Sequence, residues 1–130
     1  MIKDQVLEEK VFFVNRALLK QYADTSGDQN PIHQDEAFAK SVGLPDVIAH
    51  GMLTMALVGK YVTEIAGGSA NVLELGGRFT KPVIVPAGTD VDITVSATVS
   101  DVVDGRASLS LVATSAGVKV LGMAKAVITL

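Results

Sequence analysis

The chain has 130 residues, nearly half of them apolar, and its 11 basic and 14 acidic residues leave a net charge of −3 with no basic run. That balance argues against nucleic acid as the main partner, because phosphate contacts need clustered lysine and arginine. No cysteine is present, which excludes disulfides, thiol nucleophiles and iron–sulfur clusters and is compatible with a reducing cytoplasm, where the protein is expected.

The length fits a single domain spanning residues 1–130, and a chain this short gains from oligomerisation as a source of extra burial. The N-terminal "MIKDQVLEEK" carries charges where a signal peptide needs an apolar run, so no secretion signal is expected. "VLEEKVFFV" (6–14) is predicted as a first strand. Asn15 reads as the N-cap of a helix carrying Ala17, Leu18, Leu19 and Tyr22. "ADTSGDQNP" (23–31) is dense in turn formers and is predicted as loop. Asp35 caps a short helix, "EAFAKSV", that Gly43 and Pro45 end. "AHGMLTMALVGKYVTEIAGG" (49–68) then gives a helix apolar over most of its circumference, which predicts burial inside the rest of the chain. Thr54, Gly59, Lys60, Thr63 and Glu64 make it too short and too polar to span a membrane.

"NVLELGGRFTKPVIV" (71–85) reads as a strand with a Gly-Gly irregularity. "TDVDITVSATVSDVV" places Val91, Ile93, Val95, Ala97 and Val99 on one face and Asp92, Thr94, Ser96 and Thr98 on the other. Asp104-Gly105 is a hairpin signal, and "RASLSLVATS" and "VKVLGMAKAVITL" follow, joined at Ala116-Gly117. The expected fold is α+β, an antiparallel meander curled around one long helix.

Two places carry candidate chemistry. In "SGDQNPIH" (26–33), Pro31 disfavours helical geometry at Asn30, so a bent loop can bring the Asp28 carboxylate and the His33 imidazole to one small volume. Such a pair can hold a water and move its protons near neutral pH. The same residues are also good turn chemistry, with Gly27 free to take positive φ and with Asp28 and Asn30 able to bond local backbone. A metal site is not expected, since no paired-histidine spacing exists, and a Ser–His–Asp triad has no Gly-x-Ser-x-Gly elbow to support it. In "AHGM", Gly51 at the helix start offers a backbone N–H where the helix dipole favours developing negative charge. The alternative is that Gly51 only lets the chain turn, with His50 an ordinary boundary residue.

The stretch "YADTSGDQNPIHQDEAFAKSVGLPDVIAHGM", with Tyr22, Ser26, Gly27, Asp28, Asn30, Pro31, Ile32 and His33 at its core, resembles the signature of the MaoC-like (R)-specific enoyl-thioester hydratases of the hydratase 2 type. "AHGMLTM" and "RFTKPVIVPAGTDV" resemble the helix start and following strand of that family. In wording the chain is most similar to the catalytic subunits of actinobacterial (3R)-hydroxyacyl-carrier-protein dehydratases. The resemblance implies a hot-dog fold and assembly as a homodimer or as a heterodimer with another hot-dog subunit. It implies Asp28 and His33 as the catalytic pair, Gly51 N–H as donor to the thioester oxygen, and no cofactor or metal. The implied substrate is an acyl thioester of coenzyme A or of acyl carrier protein. Some relatives carry a serine where this chain has Gly59. A chain with this pair can still depend on a partner hot-dog subunit for activity, and two other functions share the fold: a thioesterase, and a non-catalytic acyl-binding or scaffolding subunit. The Asn-Pro-x-His core argues against the first and the full Asp/His pair against the second.

Overall fold

The computed structural model describes all of residues 1–130. Six strands, β1 (Lys10–Val14), β2 (Val72–Phe79), β3 (Val91–Val103), β4 (Arg106–Ser115), β5 (Val118–Lys119) and β6 (Leu121–Thr129), form one antiparallel sheet in the order β1-β3-β4-β6-β2, with β5 paired to β4. Three helices, α1 (Arg16–Ser26), α2 (Glu36–Ser41) and α3 (Gly51–Ala66), come before β2 in the chain. The α+β expectation holds, with the sheet packed on the long helix in the hot-dog arrangement.

Alternation sets the core. Ile93, Val95, Ala97 and Val99 of β3 are buried, as are Ala107, Leu109, Leu111 and Ala113 of β4. Together with Leu53, Val58, Tyr61 and Val62 of α3 they join one hydrophobic cluster. Each fully buried valine or leucine there contributes about 1.5–3 kcal/mol. Strand β6 changes phase partway: Leu121 is buried, and the buried set then resumes at Ala124, Ala126 and Ile128. Met123 takes φ 50° at that step, while the β2–β6 register shifts between Gly76 and Arg78. The extra residue lies on β6, and Gly77 faces it so closely that a Cβ would come within 3.3 Å of the Ala124 Cα and Cβ. The Gly-Gly irregularity read in the sequence is therefore the bare half of a β-bulge.

Four expectations need correction. The first strand forms a continuous ladder only over β1; Val6 contributes a single bridge to Thr98. Helix α1 runs through Ala23–Ser26, which the turn-forming composition assigned to loop. Leu19 and Ala23 bury one face at i,i+4, and Gly27 at φ 82° closes the helix by donating its N–H to the Ala23 carbonyl. Strand β2 stops at Phe79 rather than at residue 85. Pro82 and Pro86 prevent a regular ladder, and Val83–Val85 instead pairs with Val47–Ala49, through Ala49 N–H to Val83 O (2.9 Å) and Val85 N–H to Val47 O (2.8 Å). Finally, α3 is not enclosed. Met52, Ala56, Lys60 and Glu64, at four-residue spacing, are exposed along one flank, because a single sheet covers a helix from one side only.

α1 is anchored at its start. Asn15 Oδ1 accepts from Leu18 N–H at 2.9 Å and Asn15 Nδ2 donates to Asp90 at 3.0 Å. Arg16 donates to the Val85 carbonyl (2.6 Å) and to Asp46 (2.8 Å). Replacing the cap, Asn15→Ala, is expected to lower unfolding stability by about 1 kcal/mol, read as a shift in the urea midpoint at unchanged m-value.

Candidate active site

Gly27 turns the chain out of α1, and two side-chain turns follow. Asp28 Oδ1 accepts from Asn30 N–H and Asn30 Oδ1 accepts from Ile32 N–H, each at 3.2 Å. Asn30, extended at φ −57° and ψ 124° as the residue before a proline must be, caps a single 3-10 turn, Pro31–His33. So the turn-chemistry reading of this loop is correct. It does not compete with the chemical one, because the same turns bring the Asp28 carboxylate, a ring nitrogen of His33 and a ring nitrogen of His50 within 4.8 Å of one another.

His33 is buried and bonded through Nδ1 to the Ile48 carbonyl at 2.7 Å. A carbonyl can only accept, so Nδ1 carries the proton and Nε2 of the neutral ring is a bare lone pair. His50 is buried more completely, at 1 % exposure. Its ring stacks on His33, with centroids 3.8 Å apart and planes at 24°, and meets the Tyr22 ring edgewise at 4.7 Å. His50 Nε2 lies 3.2 Å from the Asp28 backbone carbonyl, which makes Nε2 the protonated nitrogen there. Its Nδ1 is the one buried side-chain polar atom of the chain with no hydrogen-bond partner. Burial pushes the His50 pKa below its ordinary value and neighbouring His33 adds to this, while the Asp28 carbonyl and carboxylate pull the other way. The sequence reading left His50 as a boundary residue. Its available signal was being the second of only two histidines, next to the helix-start glycine.

A cavity of about 310 Å³ opens beside this cluster, lined among others by His33, Gly51, Thr54, Phe79, Pro82 and Val83. Gly51 is the first residue of α3, so its N–H has no acceptor within the helix. The absent side chain matters here too, since a Cβ would sit 3.0 Å from the Phe79 ring. The structure thus brings His33 and Gly51 to one cavity. Asp28 is exposed and is not part of the cavity wall; it meets the site through the two histidines.

Asp28, His33 and His50 are also the one group of acidic and imidazole side chains close enough to share a metal ion. The stacking works against that use. Near-parallel rings hold their in-plane lone pairs in nearly parallel planes, and these do not converge on one ion at the roughly 2.0–2.1 Å of a metal–imidazole bond.

The buried neutral state of His50 has a consequence for stability. With its folded pKa depressed, the unfolded chain binds more protons than the folded one below about pH 6.5, the ordinary histidine value. Its contribution is complete above that pH and is lost as pH falls through it toward the folded value. Urea unfolding is therefore expected to show a lower midpoint at pH 5.5 than at pH 7.5, with a smaller drop in His50→Gln.

The model of the family described as MaoC like domain matches residues 1–120. The 3-hydroxyacyl-thioester dehydratase X of Mycobacterium tuberculosis is 40% identical over 77 residues, which is 59% of this chain and 26% of that protein. The solved structure of a MaoC-like dehydratase superposes with a TM-score of 0.95 at 33% identity, covering 100% of this chain and 41% of the other. The unliganded R-hydratase PhaJ1 of Pseudomonas aeruginosa superposes with a TM-score of 0.84 at 28% identity, covering 99% and 81%. The chain spans about a quarter of the mycobacterial relative's length. With the fold, the loop signature and this family match in agreement, the chain belongs to the MaoC-like domain family.

Proposed function

We propose that the chain catalyses the reversible hydration of trans-2-enoyl thioesters to (R)-3-hydroxyacyl thioesters, with dehydration as the reverse. The observation that carries this reading is the bare Nε2 of buried His33 at a cavity whose wall also contains the helix-start Gly51. The relatives' names, 3-hydroxyacyl-thioester dehydratase and enoyl-CoA hydratase 2, support the same reaction class.

The chemistry follows from those groups. A thioester carbonyl conjugated to a double bond leaves C3 electron-poor. The Gly51 N–H and the N-terminal end of α3 polarise the carbonyl oxygen further and hold the charge that develops on it. As water oxygen bonds to C3, His33 Nε2 takes one of its protons and becomes imidazolium. The Asp28 carboxylate accepts the hydrogen bond of the other and steadies the positive ring. The resulting enolate then collects a proton at C2 from the imidazolium, which restores neutral His33 beside the Asp28 carboxylate. Water is added across the double bond, and no redox step or external proton is required. The Nδ1–Ile48 bond keeps the base nitrogen turned the right way throughout.

The substrate's carrier is coenzyme A or an acyl carrier protein in this reading. The exposed flank of α3 and the exposed Leu73, Leu75 and Phe79 of edge strand β2 form the face that a second hot-dog, as a separate subunit or a further domain, would cover. No helix is long and apolar enough to cross a membrane, and the cysteine-free composition suits work in a reducing cytoplasm.

The test is the fall in conjugated enoyl-thioester absorbance with crotonyl-CoA. Asp28→Asn and His33→Gln are each expected to lower turnover by about a hundred- to ten-thousandfold, and near-normal rates in both folded variants would overturn the reading. Release of free thiol, with no loss of conjugation beforehand, would indicate thioesterase chemistry instead.

The donor at Gly51 can be removed without breaking the helix. Position N1 tolerates proline because its N–H is already unpaired, and His50 (φ −60°, ψ 132°) has the extended geometry a pre-proline residue needs. Gly51→Ala serves as the control for the added Cβ. Gly51→Pro is expected to lose about 10²- to 10³-fold in kcat relative to Gly51→Ala, the usual loss of one oxyanion donor.

A further inference from the structure

We propose that His50 is a positioning residue, which as a neutral Nε2–H imidazole holds the Asp28 loop against His33. The inference rests on the reading of Asp28 and His33 given above.

Three observations converge on it. His50 is the residue immediately before α3, so its backbone is fixed by the helix start, where its carbonyl accepts from Leu53 and Thr54 N–H at 3.0 and 3.3 Å. From that fixed point its side chain reaches across 22 residues of sequence to the Asp28 carbonyl. Asp28 is exposed, and the two side-chain turns around it bond only within the loop or to α1. The His50 bond is therefore what ties the backbone of Asp28 to the buried part of the molecule.

The ring also faces His33 over 3.8 Å, and the two rings hold opposite tautomers. His33 is pinned as Nδ1–H by Ile48, and His50 as Nε2–H by Asp28. The unpartnered Nδ1 of His50 fits this role. A second donor there would be a buried charge against His33 at the moment His33 becomes imidazolium, whereas a bare lone pair is not. Tyr22 also packs edgewise on the His50 ring, with centroids 4.7 Å apart.

A merely structural histidine and a positioning one give different results. His50→Phe keeps the stacked ring and removes the donor. It is expected to lower kcat by about ten- to a hundredfold, the scale of a displaced catalytic group, with KM changed by less than about threefold. Glutamine places an amide N–H close to where Nε2–H stood, so His50→Gln is expected to recover at least about tenfold of the kcat that His50→Phe loses, without needing to match the parent.

Imidazole 15N shifts of the unmodified protein supply a readout that needs no activity. They are expected to show His33 as Nδ1–H and His50 as Nε2–H. An Nδ1–H tautomer at His50, or a folded His50→Gln no better than a folded His50→Phe, would overturn the proposal. So would a parental kcat in His50→Phe while Asp28→Asn and His33→Gln are inactive. Should His50→Phe not fold, the tautomer assignment and the comparison of His50→Gln with the parent decide: a glutamine variant losing more than about a hundredfold counts against the donor role. Full activity of Asp28→Asn and His33→Gln would instead remove the catalytic reading on which the proposal stands.

Discussion

Four residues between α2 and α3, Val47 to His50, are tied on both sides at once. Val47 and Ala49 pair with Val85 and Val83, while Ile48 donates its N–H to the Ile32 carbonyl and accepts from His33 Nδ1. One edge of this extended segment thus belongs to the chain that follows β2, and the other to the loop that carries the histidine. Every part of the site is referenced to it: the orientation of His33, the point at which α3 begins, and the depth at which His50 is buried. Arg16 secures the same region from α1, through Val85 and Asp46, and Asp46 in turn accepts from Val47 N–H. A backbone segment with its hydrogen bonds satisfied on both edges is held in place by both neighbours.

The burial of polar groups here is consistent from group to group. Removing imidazole from water disfavours its charged form, so the more enclosed ring, His50, is pushed toward neutrality. His33 is enclosed too, and a ring nitrogen of each histidine lies within 4.8 Å of the exposed Asp28 carboxylate. The two ring centroids are 3.8 Å apart, but each ring is bonded to a different carbonyl. That difference sets which nitrogen of each ring carries the proton, without any difference in residue type.

The open flank of α3 reflects a limit of size. A chain of 130 residues can wrap one face of a 16-residue helix and leaves the opposite stripe, with edge strand β2 beside it, facing outward. Gly59 lets β2 come close on that side, with Leu75 at 3.3 Å from the position its Cβ would take.

How much of this was legible in the sequence follows from the range over which each feature is determined. Strict alternation in β3 and β4, the Asp104-Gly105 turn and the long apolar helix are local patterns, and they place the core without reference to long-range contacts. The aspartate, proline and histidine of 28–33 showed that a bent loop could form there, because proline and side-chain turns act over two or three residues. Helix α1 outran its composition because tertiary burial of Ala23 and the left-handed cap at Gly27 outweighed the turn formers. The early end of β2 came from pairing between segments some 36 residues apart, to which a local pattern is blind. His50 was passed over for the same reason. The sequence by itself determined the α+β class, the core faces and the ability of the 26–33 loop to bend. Only the tertiary structure decided which nitrogen of each histidine is free, because that depends on carbonyls at Ile48 and Asp28 brought in by long-range folding.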